Sequence, residues 1–210
     1  MAAVNPTSLD EYLARFPSQM AAWEVIRQIP EISIGPDIDH TTAQLAVRSL
    51  TIIADIFPVA NMERPTLRPE WRIYLHPLED VKFTVELVPI INPQYPWVVS
   101  FRATKKNPDF RPRPDSVELR TLDLVSIEPA KSPHGRYPTL GDIIRMLLSK
   151  GMHRFPKQSE PYHDNFPWCD HFISALAEDG WMDEHVPYFP GLLKESIASY
   201  FKVDIFQEDI

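Results

Sequence analysis

Between Trp71 and Arg120 apolar and polar side chains alternate with a period of two. Trp71, Ile73 and Leu75 alternate with Arg72, Tyr74 and His76. Val81, Phe83, Val85 and Leu87 alternate with Lys82, Thr84 and Glu86, and Trp97, Val99 and Phe101 with Val98, Ser100 and Arg102. Val117 and Leu119 alternate with Glu118 and Arg120, and the LDLV run that follows has the opposite phase. Such alternation marks strands with one face buried and one polar. The phase change near Thr121 predicts a bulge or bend. Turn signals at His76-Pro77, Asn92-Pro93 and the proline loop 107–114 leave connections too short for crossover helices, so the pattern predicts an antiparallel meander. The segment 41–57 is ambiguous, because its first half suits a helix and its β-branched second half a strand; 46–56 is assigned as a strand.

Helical spacing governs both flanks. Ser8 and Glu11 have capping-box spacing ahead of Tyr12, Leu13 and Phe16. Ser18 is placed to cap a second helix with Met20, Trp23, Ile26 and Ile29 as its buried stripe, ended by Pro30. Residues 31–39 read as a turn region. Thr139 caps a helix over 140–150 with Gly151 beyond its end. After an irregular loop at 152–164, Pro167 opens a helix carrying Trp168, Cys169, Phe172, Ile173 and Leu176, stopped by Gly180. A last helix is expected over 190–202, with VDIF as a possible terminal strand. The prediction is one α+β domain over 1–210: N-terminal helices in 1–30, an antiparallel meander of four to five strands in 46–128, and C-terminal helices in 139–202.

Composition removes several functions. Of 210 residues 22 are proline and only 6 are glycine, and no glycine lies between Gly35 and Gly135. Phosphate-cradling loops need clustered glycines, so the common ATP, GTP and NAD(P) folds are not expected. A net charge of −8 without a basic stripe argues against nucleic acid. The local cluster Arg102, Lys105, Lys106, Arg111 and Arg113 reads as a solvated loop, with a contact site for an anionic ligand as the alternative. One cysteine excludes an internal disulfide framework and a Cys-rich zinc site. No signal segment and no membrane span is evident, so a cytoplasmic setting is expected.

Candidate chemistry gathers at two places. Cys169 falls in the first turn of its helix, where the helix dipole lowers a thiol pKa; packing is the ordinary alternative for a cysteine on an apolar helix. His153, His163, Cys169 and His171 are close in sequence, but positions 169 and 171 diverge around a helix, so neither a metal nor another cofactor is expected. The second place is the polar face of the sheet, with Arg72, Tyr74, His76, Thr84, Glu86, Ser100 and Arg102. If the sheet curls, these groups and the aromatics Trp71, Trp97 and Trp168 line a cavity for an organic ligand; if it stays flat, the face is wet.

The run WCDHFISAL (168–176) resembles the cysteine motif of the lecithin retinol acyltransferase family, circularly permuted NlpC-like enzymes of papain fold. PEWRIYLHP (69–77), about a hundred residues upstream of Cys169, is similar to that family's histidine-bearing strand. The same two pieces also resemble an uncharacterised fungal domain family. The resemblance implies a Cys–His hydrolase or acyltransferase, with Cys169 as nucleophile. Glu70 stands where the pattern has histidine, and Trp168 where it has asparagine. A carboxylate cannot replace the imidazole at neutral pH and raises a nearby thiol's pKa. His76 lies roughly 17 Å further along the strand.

Three functions follow. The first is a cofactor-independent enzyme acting on a small organic substrate, for which the fungal resemblance suggests a secondary-metabolite cyclase such as a hetero-Diels–Alder catalyst. Arg72, Tyr74 and His76 would be its donors, and Trp71, Trp97, Ser100, Arg102 and Trp168 its binding residues. The second is the Cys169 acyltransferase or hydrolase. The third is a non-catalytic binding protein that uses the 102–113 loop and the acidic C-terminus.

Overall fold

The computed structural model describes residues 18–59, 66–79, 81–92, 95–107, 116–123, 135–156 and 166–182. The chain is α+β, with a mostly antiparallel sheet between helices at both ends. Helix α1 (Gln19–Arg27) is followed by β1 (Ser33–Ile34), the short α2 (His40–Ala43), β2 (Val47–Val59), β3 (Thr66–Pro77), β4 (Thr84–Ile91), β5 (Val98–Lys106) and β6 (Ser116–Asp123). Then come α3 (Leu140–Ser149), a 3-10 turn (Met152–Arg154), β7 (Phe155–Pro156) and α4 (Phe166–Glu178). The expected helices over 8–16 and 190–202, the VDIF strand and most of the 107–114 loop lie outside the described residues.

The sheet order is β1-β5-β4-β3-β2-β6. Strands β2 to β5 form the expected meander, and β6 returns beside β2. Two short strands bring the total among the described residues to seven: β1 runs parallel to β5, and β7 pairs with β5 at Val98 and Val99. They fall in regions expected as turn and loop, because two residues are too few to show a period. The bulge is present, but earlier than expected. Ile52 pairs with Arg120 and Ile53 with Glu118, so Leu119 is the extra residue. Strand β5 also runs past the expected end at Arg102 to Lys106, so Lys105 and Lys106 are strand residues rather than loop.

One face of the sheet forms the core. Leu50, Ile52, Trp71, Ile73, Leu75, Val85, Leu87, Phe101 and Ala103 point there and pack under α3 and α4. Phe166 meets the Trp71 ring at 4.9 Å, and Trp168 lies 6.2 Å from Phe101. The Trp168 indole N–H donates to the Met152 carbonyl at 3.0 Å, and Trp23 donates to Ile38 at 3.2 Å, so both large polar rings are satisfied when buried. Met20, expected in the buried stripe of α1, is exposed, because the first turn of the helix extends beyond the layer that covers Trp23 and Ile26.

Capping fixes where the helices begin. Ser18 accepts from Ala21 N–H. Thr139 accepts from Asp142 N–H at 3.1 Å, while Asp142 accepts from Thr139 N–H at 2.8 Å, a complete capping box. Lys150 reaches Glu178 at 2.8 Å and Asp179 at 3.2 Å, tying the ends of α3 and α4.

Burial pushes the Asp142 carboxyl up, but the bonds from Arg136 and Thr139 outweigh it and hold it at about 2, below the ordinary 3.8. A carboxylate with a depressed folded-state pKa adds stability that is present above the ordinary value and lost as pH falls through the folded one. Asp142→Asn is therefore expected to cost about 2 kcal/mol at neutral pH and to flatten the stability profile between pH 4 and 2, read by urea unfolding across that range.

Candidate functional site

The centre of the polar face of the sheet is buried rather than wet. Ser49, Thr51, Ile53, Tyr74 and Glu86 all point to it and are buried, and the Glu86 side chain is only 1% exposed. Strand register explains their convergence. Thr51 pairs with Tyr74, Tyr74 with Glu86, and Glu86 with Thr104, so four strands deliver one side chain each at the same level. One step towards the β4–β5 turn lie Ile53 and Arg72, with Val88 opposite Arg102; one step the other way lie Ser49 and His76, with Thr84 opposite Lys106.

Glu86 is the centre of this cluster. Its Oε1 accepts from Arg72 Nη1 at 2.9 Å and from the Tyr74 hydroxyl at 2.8 Å. Its Oε2 lies 3.0 Å from Lys106 Nζ and accepts from Thr104 Oγ1 at 3.2 Å. Burial pushes the Glu86 carboxyl up; the bonds from Arg72, Lys106 and Tyr74 overcome that and keep it below the ordinary glutamate value. Beside it, Thr51 Oγ1 and His76 Nε2 share a hydrogen bond of 2.8 Å. Glu70 approaches Arg72 at 3.9 Å from the more exposed end. The ion pairs reach the edge of the buried zone, since Arg72 and Lys106 side chains are 19% and 27% exposed.

Of the residues singled out in the sequence, Arg72, Tyr74 and His76 come together here. Arg102 shares their face, exposed, and makes no hydrogen bond or ion pair with the described residues. Ser100 is also on this face, but its hydroxyl donates to the Glu31 carbonyl and holds the segment before β1. Trp71 and Trp168 are core residues beneath α4, on the opposite side of the sheet. Trp97, expected to point inward with Val99 and Phe101, lies in the turn before β5 and is 66% exposed, stacked edge-on to Tyr95 at 5.9 Å. It sits beyond the end of the layer that covers Phe101.

Cys169 occupies the first turn of α4 as expected and is 2% exposed within the core. His76 points to the other face of β3, so the sheet stands between the thiol and that imidazole. Glu70 alternates with Trp71 and is also on the polar side. Among the described residues no group of three or more His, Cys, Asp or Glu side chains is placed to hold a metal ion, and His163 lies outside them. A small, mostly apolar pocket lined by Thr42, Leu45, Val47, Leu75, Pro77, Phe83, Val85 and Leu140 lies near α3. No helix among the described residues is long and apolar enough to cross a membrane.

Lys106, Thr104 and Thr51 were missed in the sequence. Lys105 falls at an inward phase, where its stem crosses the Phe83 ring with Nζ 4.7 Å from the centroid, so the alternation seemed to stop before it. A carboxylate amid a strand, at Glu86, is the signal that points to partners across the sheet.

No family model matches the chain, and neither a curated protein nor a solved structure is similar enough to place it in a family. The resemblance to the permuted papain-like fold rests on its own two segments.

Two outcomes check this geometry. Glu86→Gln keeps the size and removes the charge, and is expected to cost about 2 kcal/mol in urea unfolding, because Arg72 and Lys106 lose their common partner. An aromatic disulfide reagent should label Cys169 at least about a hundredfold more slowly in the native protein than in urea. Labelling at the unfolded rate would show that the thiol is accessible.

Proposed function

We propose that the protein is a cofactor-independent enzyme of small-molecule metabolism whose reaction takes place on the Glu86 face of the sheet. The observation that carries this reading is the buried carboxylate with its two cations. A sheet face that serves stability alone is most simply covered by apolar side chains, and burying charges is costly unless geometry is good. Here the chain places Arg72, Lys106, Tyr74, His76, Glu86 and two threonines together. A pre-set cluster of this kind stabilises negative charge that develops on a substrate oxygen, because its dipoles and cations need not reorganise during the reaction.

The proposed roles differ among these residues. Arg72 and Lys106 supply the positive field for a carbonyl or quinone-methide oxygen. Tyr74 uses its own proton on Glu86, so it orients rather than donates while that bond persists. His76 is held by Thr51, and its imidazole nitrogens offer a donor or an acceptor beside the carboxylate. Holding two reacting ends of one substrate in register supplies the remaining acceleration, as a cyclisation of hetero-Diels–Alder type requires. Arg102 offers an exposed cation at the approach to this face.

The Cys169 acyltransferase reading has less support, since an acyl donor reaches a thiol in the core only if α4 leaves the sheet. The binding-protein reading has one observation in its favour, the exposed Tyr95–Trp97 pair.

The test is product formation from a panel of conjugated carbonyl and quinone-methide precursors, followed by liquid chromatography and mass spectrometry. Wild type is expected to accelerate at least one cyclisation, and the Arg72→Ala, Tyr74→Phe, His76→Asn triple variant to lose about a hundredfold or more in rate while retaining its far-UV spectrum. Equal rates in the two proteins would refute the assignment, and Cys169→Ala is expected to remain fully active.

A further inference from the structure

Several elements meet at the segment 151–156. Gly151, with φ of +72°, turns the chain out of α3 through a left-handed conformation that favours glycine. The 3-10 turn follows, and its Met152 carbonyl accepts the Trp168 indole N–H from α4. Phe155 and Pro156 pair with Val99 and Val98 of β5. Arg154 is ion-paired with Glu31, and the Glu31 backbone carbonyl in turn accepts from Ser100 of β5. One short turn thus joins α3, α4, β5 and the segment before β1.

His153 lies at its middle, half-buried, and its Nδ1 is buried without a hydrogen-bond partner among the described residues. Neutral imidazole tolerates such a place better than imidazolium. In the cation both ring nitrogens are donors, so a charged Nδ1–H would be enclosed with no acceptor. Among the described residues the charges acting on His153 are Arg154 of its own turn, which opposes protonation, and Glu31 before β1, which favours it; α3, α4 and β5 place none on it. Glu31 is already engaged by Arg154. Burial pushes the His153 pKa down from the ordinary 6.5, Arg154 adds to this, and Glu31 only partly offsets it.

We propose that the 151–156 turn is an acid-released clasp: protonation of His153 loosens it from β5 and α4 and uncovers that edge of the sheet. β1 and β7 are the short strands that cover β5 on this side, so release leaves part of the β5 backbone unpaired. The sign follows from linkage. A histidine whose folded-state pKa is depressed leaves the folded form fully stable above the ordinary value and destabilises it as pH falls through 6.5. The clasp is independent of the function proposed for the Glu86 face.

Hydrogen exchange of the full chain at pH 7.5 and 5.5, corrected for intrinsic exchange rates, tests it. In wild type, peptides spanning 98–106 and 150–156 are expected to exchange about tenfold faster at the lower pH, while β2 and β3 change little. His153→Phe should remove that rise, and His171→Gln, whose native ring lies 5.6 Å from Phe155, should keep it. A flat wild-type profile, or a rise that persists in His153→Phe, overturns the proposal. Should His153→Phe fail to fold, the His153 ring resonances of wild type decide: a midpoint below 6.5 that coincides with the exchange change supports the clasp, and a midpoint above 6.5 contradicts it.

Discussion

A buried carboxylate must be ionised among partners or it must give up its charge, and Glu86 resolves this by drawing three strands to one point. Arg72 and Tyr74 come from β3, Thr104 and Lys106 from β5, and Glu86 itself from β4. Two cations and two hydroxyls fill both carboxylate oxygens. The same bonds pin register, since a one-residue slip of β4 would turn Glu86 into the apolar core and Val85 and Leu87 out of it. The polar cluster and the hydrophobic core therefore specify the same pairing from opposite sides of the sheet.

The two faces have separate work. Beneath α3 and α4, Trp71, Phe101, Trp168 and Phe172 form a filled apolar layer that includes Cys169. On the other side Ser49, Thr51, Tyr74 and Glu86 are buried beside Ile53, and they hold the side chains on which the proposed chemistry depends. A Cys169–His76 dyad would have to assemble across the sheet. An electrostatic catalyst needs only the face on which Arg72, Tyr74 and His76 already lie.

Local rules of the chain were legible in the sequence. The period of two gave the meander, Ser18 and Thr139 gave two helix starts, and the opposed phase after Arg120 announced a bulge found at Leu119. The α+β class followed from the order of these signals. Tertiary choices were harder to read. Nothing in the alternation says whether a polar face is wet or covered, because Glu86 and Thr51 look the same in sequence either way. Lys105 concealed the end of β5 by placing a charged head at an inward phase. Trp97 looked like core because it keeps the strand's period while lying one residue outside the strand. For the site, Arg72, Tyr74 and His76 were visible as strand neighbours, whereas Lys106 and Thr104 became partners only through the register of β4 with β5.

Glu86 and its cations act as one unit, and a double-mutant cycle measures their coupling. Urea unfolding of wild type, Arg72→Ala, Glu86→Ala and the double variant gives the coupling free energy of the pair. A coupling of about 1–3 kcal/mol is expected, the double variant being less destabilised than the sum of the single changes. Additive single costs would mean that the pair contributes no joint interaction, and would contradict it.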